Sequence, residues 1–226
     1  MSDAGGDGAR GADPTDAGGL APLPRVVAVV DRLRSPGGCP WDREQTHRSL
    51  ARYLLEETYE TLEAIETDDV TLLREELGDL LLQVLIHARI ASESAPGFDI
   101  DDVADELAEK MIRRHPHVFG DERAETAADV DASWEARKIA EKRRQSATDG
   151  VPLAQPALAL AGKLVSRVQR AGLPVPAPVS APDDIGARLF ALVQEAVAAG
   201  VEPEAALRET TRRYRDAILA AERTAP

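Results

Sequence analysis

Apolar residues recur at helical spacing along most of this chain, and no stretch alternates apolar with polar long enough to make a strand. That pattern confines the fold to packed helices. Val26–Leu33 is a short apolar segment ended by Ser35-Pro36-Gly37-Gly38. Gln45–Ile65 follows, with Leu50, Tyr53, Leu54, Leu62 and Ile65 on a helical stripe. Thr67-Asp68-Asp69 reads as a turn with capping residues. Leu72–Ala91 carries the widest apolar arc and is expected to be the most buried helix. Asp99–His115 places Val103, Leu107 and Met111 on one stripe and is stopped by Pro116. Ser133–Arg144, Ala157–Ala171, Ile185–Ala198 and Pro203–Arg223 complete an all-α helical bundle.

Charge narrows the function. The 226 residues include 40 acids and 27 bases, a formal net charge of -13. A sequence-independent nucleic-acid coat or an anionic-membrane binder needs a basic surface instead. No apolar run approaches the length of a membrane span, and no secretory leader is expected, so the expected address is the cytoplasm. One cysteine, Cys39, excludes an intrachain disulfide framework and a multi-cysteine zinc site.

Carboxylates are concentrated on two consecutive helices. Glu57 and Glu60 are three apart on one, and Glu76 and Asp79 are three apart on the next. Each pair shares a helical face. Two helices joined by a short turn pack antiparallel, so the pairs can meet across the interface. Converging carboxylates repel unless a cation lies between them, and hard oxygen ligands suit Mg²⁺ or Mn²⁺. A solvated acidic face gives the same spacing, and both readings stand at this point. Gly78, mid-helix, suggests close approach of another helix or a ligand.

A basic group follows. Lys110 and Arg114 are four apart, with Arg113 between them. They suit phosphate oxygens, or they answer the helix dipole. Trp134 and Lys138 are also four apart. The Trp ring would stack on a planar base, or pack in the core. From Asp42 to Asp79 there are twelve acids and four bases, and from Lys110 to Arg144 nine bases and seven acids. A metal-like and a phosphate-like cluster therefore come from different parts of the chain. Glu44-x-x-His47 is half of a di-iron signature, but it stands alone. His47 is expected to pack or cap near the Cys39-Pro40-Trp41-Asp42 loop.

These motifs, in order, resemble the MazG family of nucleoside triphosphate pyrophosphohydrolases. The residues that carry the resemblance are Gly38-Cys39-Pro40-Trp41-Asp42-x-x-Gln45-Thr46-His47, the run Glu56-Glu57-Thr58-Tyr59-Glu60, Glu76-Leu77-Gly78-Asp79-Leu80-Leu81 and Arg113-Arg114-His115-Pro116-His117-Val118-Phe119. The match runs from about Val26 to Arg144. It implies an all-α enzyme, completed as a homodimer, that cleaves nucleoside triphosphates to monophosphate and pyrophosphate; stacking on Trp134 would tolerate every base, so broad specificity is expected. It implies Mg²⁺ held by Glu57, Glu60, Glu76 and Asp79, with Glu56 as a further ligand or a water-orienting base. Lys110 and Arg114 would meet phosphates, Arg113 standing beside them. Trp134 and Lys138 would lie near base and phosphates. Clearing of unwanted nucleotides is implied by the family alone. A catalytically idle nucleotide- or protein-binding module is the rival from another class, and the complete carboxylate quartet argues against it.

The expected organisation is a disordered leader at 1–24, a catalytic helical domain at 25–150 and a helical tail at 151–226. Residues 172–182, rich in proline, read as a linker. The tail reads as a shortened second copy of the same unit. Aligned on Glu75–Leu82, Asp184 stands for Glu76, but Ala187 replaces Asp79. Thr210 and Tyr214 fall at the Lys110 and Arg114 positions. Such a tail cannot build a complete site.

Overall fold

A computed structural model describes residues 21–127, 129–130, 133–134, 137, 141, 145–176 and 184–224. Most of the expected leader, residues 177–182 of the expected linker, and Lys138 lie outside the described residues. Among the described residues there is no strand. The delimited helices are α1 (Pro22–Arg34), α2 (Pro40–Glu44), α3 (His47–Glu66), α4 (Val70–Ala91), α5 (Ile100–Arg114), α6 (Pro116–Phe119), α7 (Ala157–Arg170), α8 (Ile185–Ala198) and α9 (Pro203–Thr224). In the stretch expected as a charged helix, the described residues Ser133, Trp134, Arg137 and Glu141 are helical. No helix among the described residues is long and apolar enough to cross a membrane. The chain divides into two compact units, one ending at Arg123 and the other beginning at Ala124.

The first unit is organised around the α3–α4 hairpin. Thr46 caps α3 reciprocally: its hydroxyl accepts from the Ser49 amide, and the Ser49 hydroxyl accepts from the Thr46 amide. The connection is three residues long. Asp68 takes the left-handed conformation at φ 55°, which Asp tolerates better than most residues. Asp69 then caps α4 by accepting from the Thr71 and Leu72 amides. Val30 of α1, Leu50 of α3 and Leu85 and Ile86 of α4 form the buried core, with Tyr53, Leu81, Ile90 and Ile100 packed against it. As expected, α4 contributes more buried residues than any other delimited helix.

Three local expectations are corrected. The Pro40–Glu44 loop is a one-turn helix, with Pro40 at its first position, where a missing N–H costs nothing. Gly78 meets nothing: a Cβ built there finds no heavy atom within 4 Å among the described residues. Its face of α4 points outward, and no helix among the described residues approaches it. His47 does not cap the loop but pairs with His87 of α4. Glu44 and His47 also end one helix and start the next, so they are not a helical pair.

The two histidine rings have planes within 2° and centroids 5.0 Å apart. Their Nδ1 atoms are 2.7 Å apart, so the rings meet edge to edge and share one proton. Burial, and then the His47 charge, hold His87 below the ordinary histidine value of 6.5. The unfolded chain therefore takes up that proton first. This contribution to stability is fully present above about pH 6.5 and is lost as pH falls toward the lower folded value. A His87→Phe protein is expected to show a flatter melting-temperature profile than the unsubstituted chain between about pH 7 and 5. Parallel profiles would reject the assignment.

In the second unit, α7 packs with α8 and α9. Gly162 permits this, since a Cβ there would stand 3.1 Å from Pro203. Val165 and Val193 are buried. Arg167 ties the preceding loop down by donating to the Ala147 and Asp149 carbonyls at 3.0 and 2.7 Å. Asp184 caps α8 by accepting from the Ala187 amide, whereas Glu76 lies in the second turn of α4.

Candidate metal centre

The hairpin register builds the centre. In an antiparallel pair, each step forward on α3 is matched by a step back on α4. Glu57 is thereby set against Asp79, and Glu60, one turn on, against Glu76. Carboxylate oxygens of Glu57, Glu76 and Asp79 lie within 4.8 Å of one another. Glu76 is only 7% exposed, although it carries a carboxylate. Glu60 borders the trio from an exposed position, near enough to add to the rise of the Glu57 carboxyl.

The electrostatics agree with this crowding. Burial raises the Glu57 carboxyl above its ordinary value, and Asp79, Glu60 and Glu76 raise it further. Burial likewise raises Glu76, followed by Glu60, Asp79 and Glu75. Every charged neighbour in these shifts is an acid. An array of this kind is at odds with itself when ionised and becomes favourable around a cation. Hard oxygen donors at this spacing fit a Mg²⁺- or Mn²⁺-class ion.

The remaining expected site residues are placed as follows. Glu56 is on α3 next to the trio but exposed and outside it. Lys110 is half-buried, Arg113 exposed and Arg114 buried in the last turns of α5. None of these bases contributes to the shifts at Glu57 or Glu76. Trp134 is half-buried in the second unit. Sequence reasoning passed over Gln83. It is 5% exposed, lies four residues beyond Asp79 on the same face of α4, and leaves its side-chain oxygen without a hydrogen-bond partner among the described residues. The signal was available: a polar residue inside the widest apolar arc.

The described residues are all helix, turn and loop, and the carboxylate trio on the helical hairpin has a donor set that could hold a cation. Residues 45–119, which span that hairpin and the α5–α6 corner, match the model of the MazG nucleotide pyrophosphohydrolase domain. The chain is 55% identical over 199 residues to an uncharacterized 26.1 kDa protein of Streptomyces cacaoi, covering 87% of this chain and 81% of that one. It is 48% identical over 199 residues to a nucleoside triphosphate pyrophosphohydrolase of Mycobacterium tuberculosis, covering 88% of this chain but only 57% of that protein's length. It is 37% identical over 211 residues to the nucleoside triphosphate pyrophosphohydrolase/pyrophosphatase MazG of Thermotoga maritima, covering 84% of this chain and 81% of the relative. The chain belongs to the MazG nucleotide pyrophosphohydrolase family.

Proposed function

We propose that the chain hydrolyses nucleoside triphosphates at the α–β phosphoanhydride, giving monophosphate and pyrophosphate, in a Mg²⁺-dependent reaction with broad base tolerance. The observation that carries this reading is the Glu57, Glu76 and Asp79 trio, with oxygens within 4.8 Å of one another, inside the matched domain. Glu57, Glu60, Glu76 and Asp79 hold the ion. When bound, it neutralises triphosphate charge and lowers the pKa of a coordinated water.

The chain's own groups do the rest. Glu56, exposed beside the trio, accepts the proton of the attacking water. Lys110 and Arg114, with Arg113, take the phosphate oxygens, Arg as a fork and Lys as a point charge. Trp134 offers a ring face to any planar base, which is why broad specificity follows. Lys138 adds a cation for phosphate. A cytoplasmic role in maintaining the nucleotide pool fits this chemistry. The test is a panel of nucleoside triphosphates and diphosphates with the metal varied. Release of pyrophosphate from triphosphates supports the reading. Release of orthophosphate alone, or no turnover with any metal, overturns it.

A homodimer is part of the same proposal. Leu54, Leu55 and Tyr59 on α3 and Leu77 on α4 are exposed, although they flank the hairpin core. Sedimentation at micromolar concentration is expected to give twice the chain mass of 24.3 kDa. A monomer across that range would reject it.

A further inference from the structure

The hairpin register continues past the carboxylates. After Glu57–Asp79, the next paired positions back from the turn are Tyr53 and Gln83. Gln83 is 5% exposed, and its Oε1 is closed off from solvent with no hydrogen-bond partner among the described residues. A buried amide oxygen in that state is destabilising. An apolar side chain of the same volume fills a helix interface without that cost. Gln83 therefore makes little sense as packing.

Its position supplies another reason. Gln83 follows Asp79 by four residues and Glu76 by seven, on one stripe of α4. Side chains four apart have Cβ atoms roughly 6 Å apart. One water molecule is the right size to span such a gap, able to give one hydrogen to the Gln83 carbonyl oxygen and the other to the Asp79 carboxylate. The Gln83 carbonyl oxygen and the Asp79 carboxylate are both acceptors, so joining those two atoms takes a donor such as water.

We propose that Gln83 is a positioning residue for the metal centre, orienting the Asp79 carboxylate through a shared buried water. This rests on the Mg²⁺ reading above. It adds an element outside the carboxylate quartet: an acceptor one turn deeper that fixes how one ligand is aimed. Outer-shell partners of this kind are worth about 10- to 100-fold in metal affinity.

The test is calorimetric titration of Mg²⁺ into the nucleotide-free full chain, with melting temperatures in chelator. Gln83→Met keeps the volume and removes the acceptor. It is expected to weaken Mg²⁺ binding about 10-fold or more, while melting at or above the temperature of the unsubstituted chain without metal. Gln83→Glu keeps an acceptor at the same place and is expected to recover most of the affinity. Unchanged Mg²⁺ affinity in Gln83→Met overturns the proposal, as does a Gln83→Glu protein as weak as Gln83→Met. Absence of Mg²⁺ binding by the unsubstituted chain is a separate result: it overturns the metal reading itself.

Discussion

A Glu76→Gln protein is expected to lose pyrophosphate release by on the order of 10²–10³-fold and to melt at a higher temperature than the unsubstituted chain in metal-free buffer at neutral pH. The two effects have one cause. Glu76 is 7% exposed and faces Glu57, Glu60 and Asp79. Its folded carboxyl is held above the value of 4.5 that it has in the unfolded chain. The folded state therefore binds the proton more tightly, and its stabilising contribution is present below about pH 4.5. It is lost as pH rises through the folded value, so at neutral pH the ionised cage opposes folding. The amide keeps the shape and removes the charge. Turnover is read by pyrophosphate release and stability by thermal melting in chelator. Retained turnover would remove Glu76 from the metal ligands, and a lower melting temperature would reject the repulsion.

The second large effect lies at the far end of the hairpin. Arg34→Met is expected to destabilise the first unit by about 2–3 kcal/mol, measured by urea unfolding. The guanidinium is nearly buried. It grips Glu93 with two nitrogens at 2.7 and 2.9 Å, and donates from a third to the carbonyls of Asp42 and Gln45, the latter at 3.0 Å. Arg34 is the main reason the Glu93 carboxyl sits below its ordinary value, with Arg89 adding to it. Removing the fork takes the guanidinium donor from the Gln45 carbonyl beside the start of α3 and leaves the Asp42 carbonyl only the Gln45 amide at 3.3 Å. Glu93 is 41% exposed, so water takes over part of its loss. A change below about 0.5 kcal/mol would show that the network is ornamental.

Periodicity was enough to read the hairpin, because α3 and α4 are long, regularly patterned helices with explicit caps at Thr46 and Asp69, although Leu54 and Ile65 of the expected α3 stripe are exposed. The acidic trio was legible for the same reason, since spacing of three fixes the face and a short turn fixes the partner. What was not legible has a common cause. His47–His87 and Arg34–Glu93 join residues 40 and 59 positions apart, and no local pattern encodes such a pairing. Of the two readings of Gly78, an approaching helix is not found among the described residues, because a helix-weakening residue implies one only where its face turns inward. The one-turn helix at Pro40–Glu44 is too short for a periodic signal and shows only through its proline and the carbonyls that Arg34 holds.

The three-residue connection at Thr67–Asp69 acts as a ruler. A helix advances 1.5 Å per residue, so every residue added or removed there offsets α4 against α3 and turns its faces. Three carboxylate oxygens lie within 4.8 Å of one another, a closeness that a single such slip undoes. Loop length, ordinarily the most freely varied property of a protein, here sets the spacing of the carboxylates. An engineer grafting this hairpin elsewhere would have to carry the turn with it.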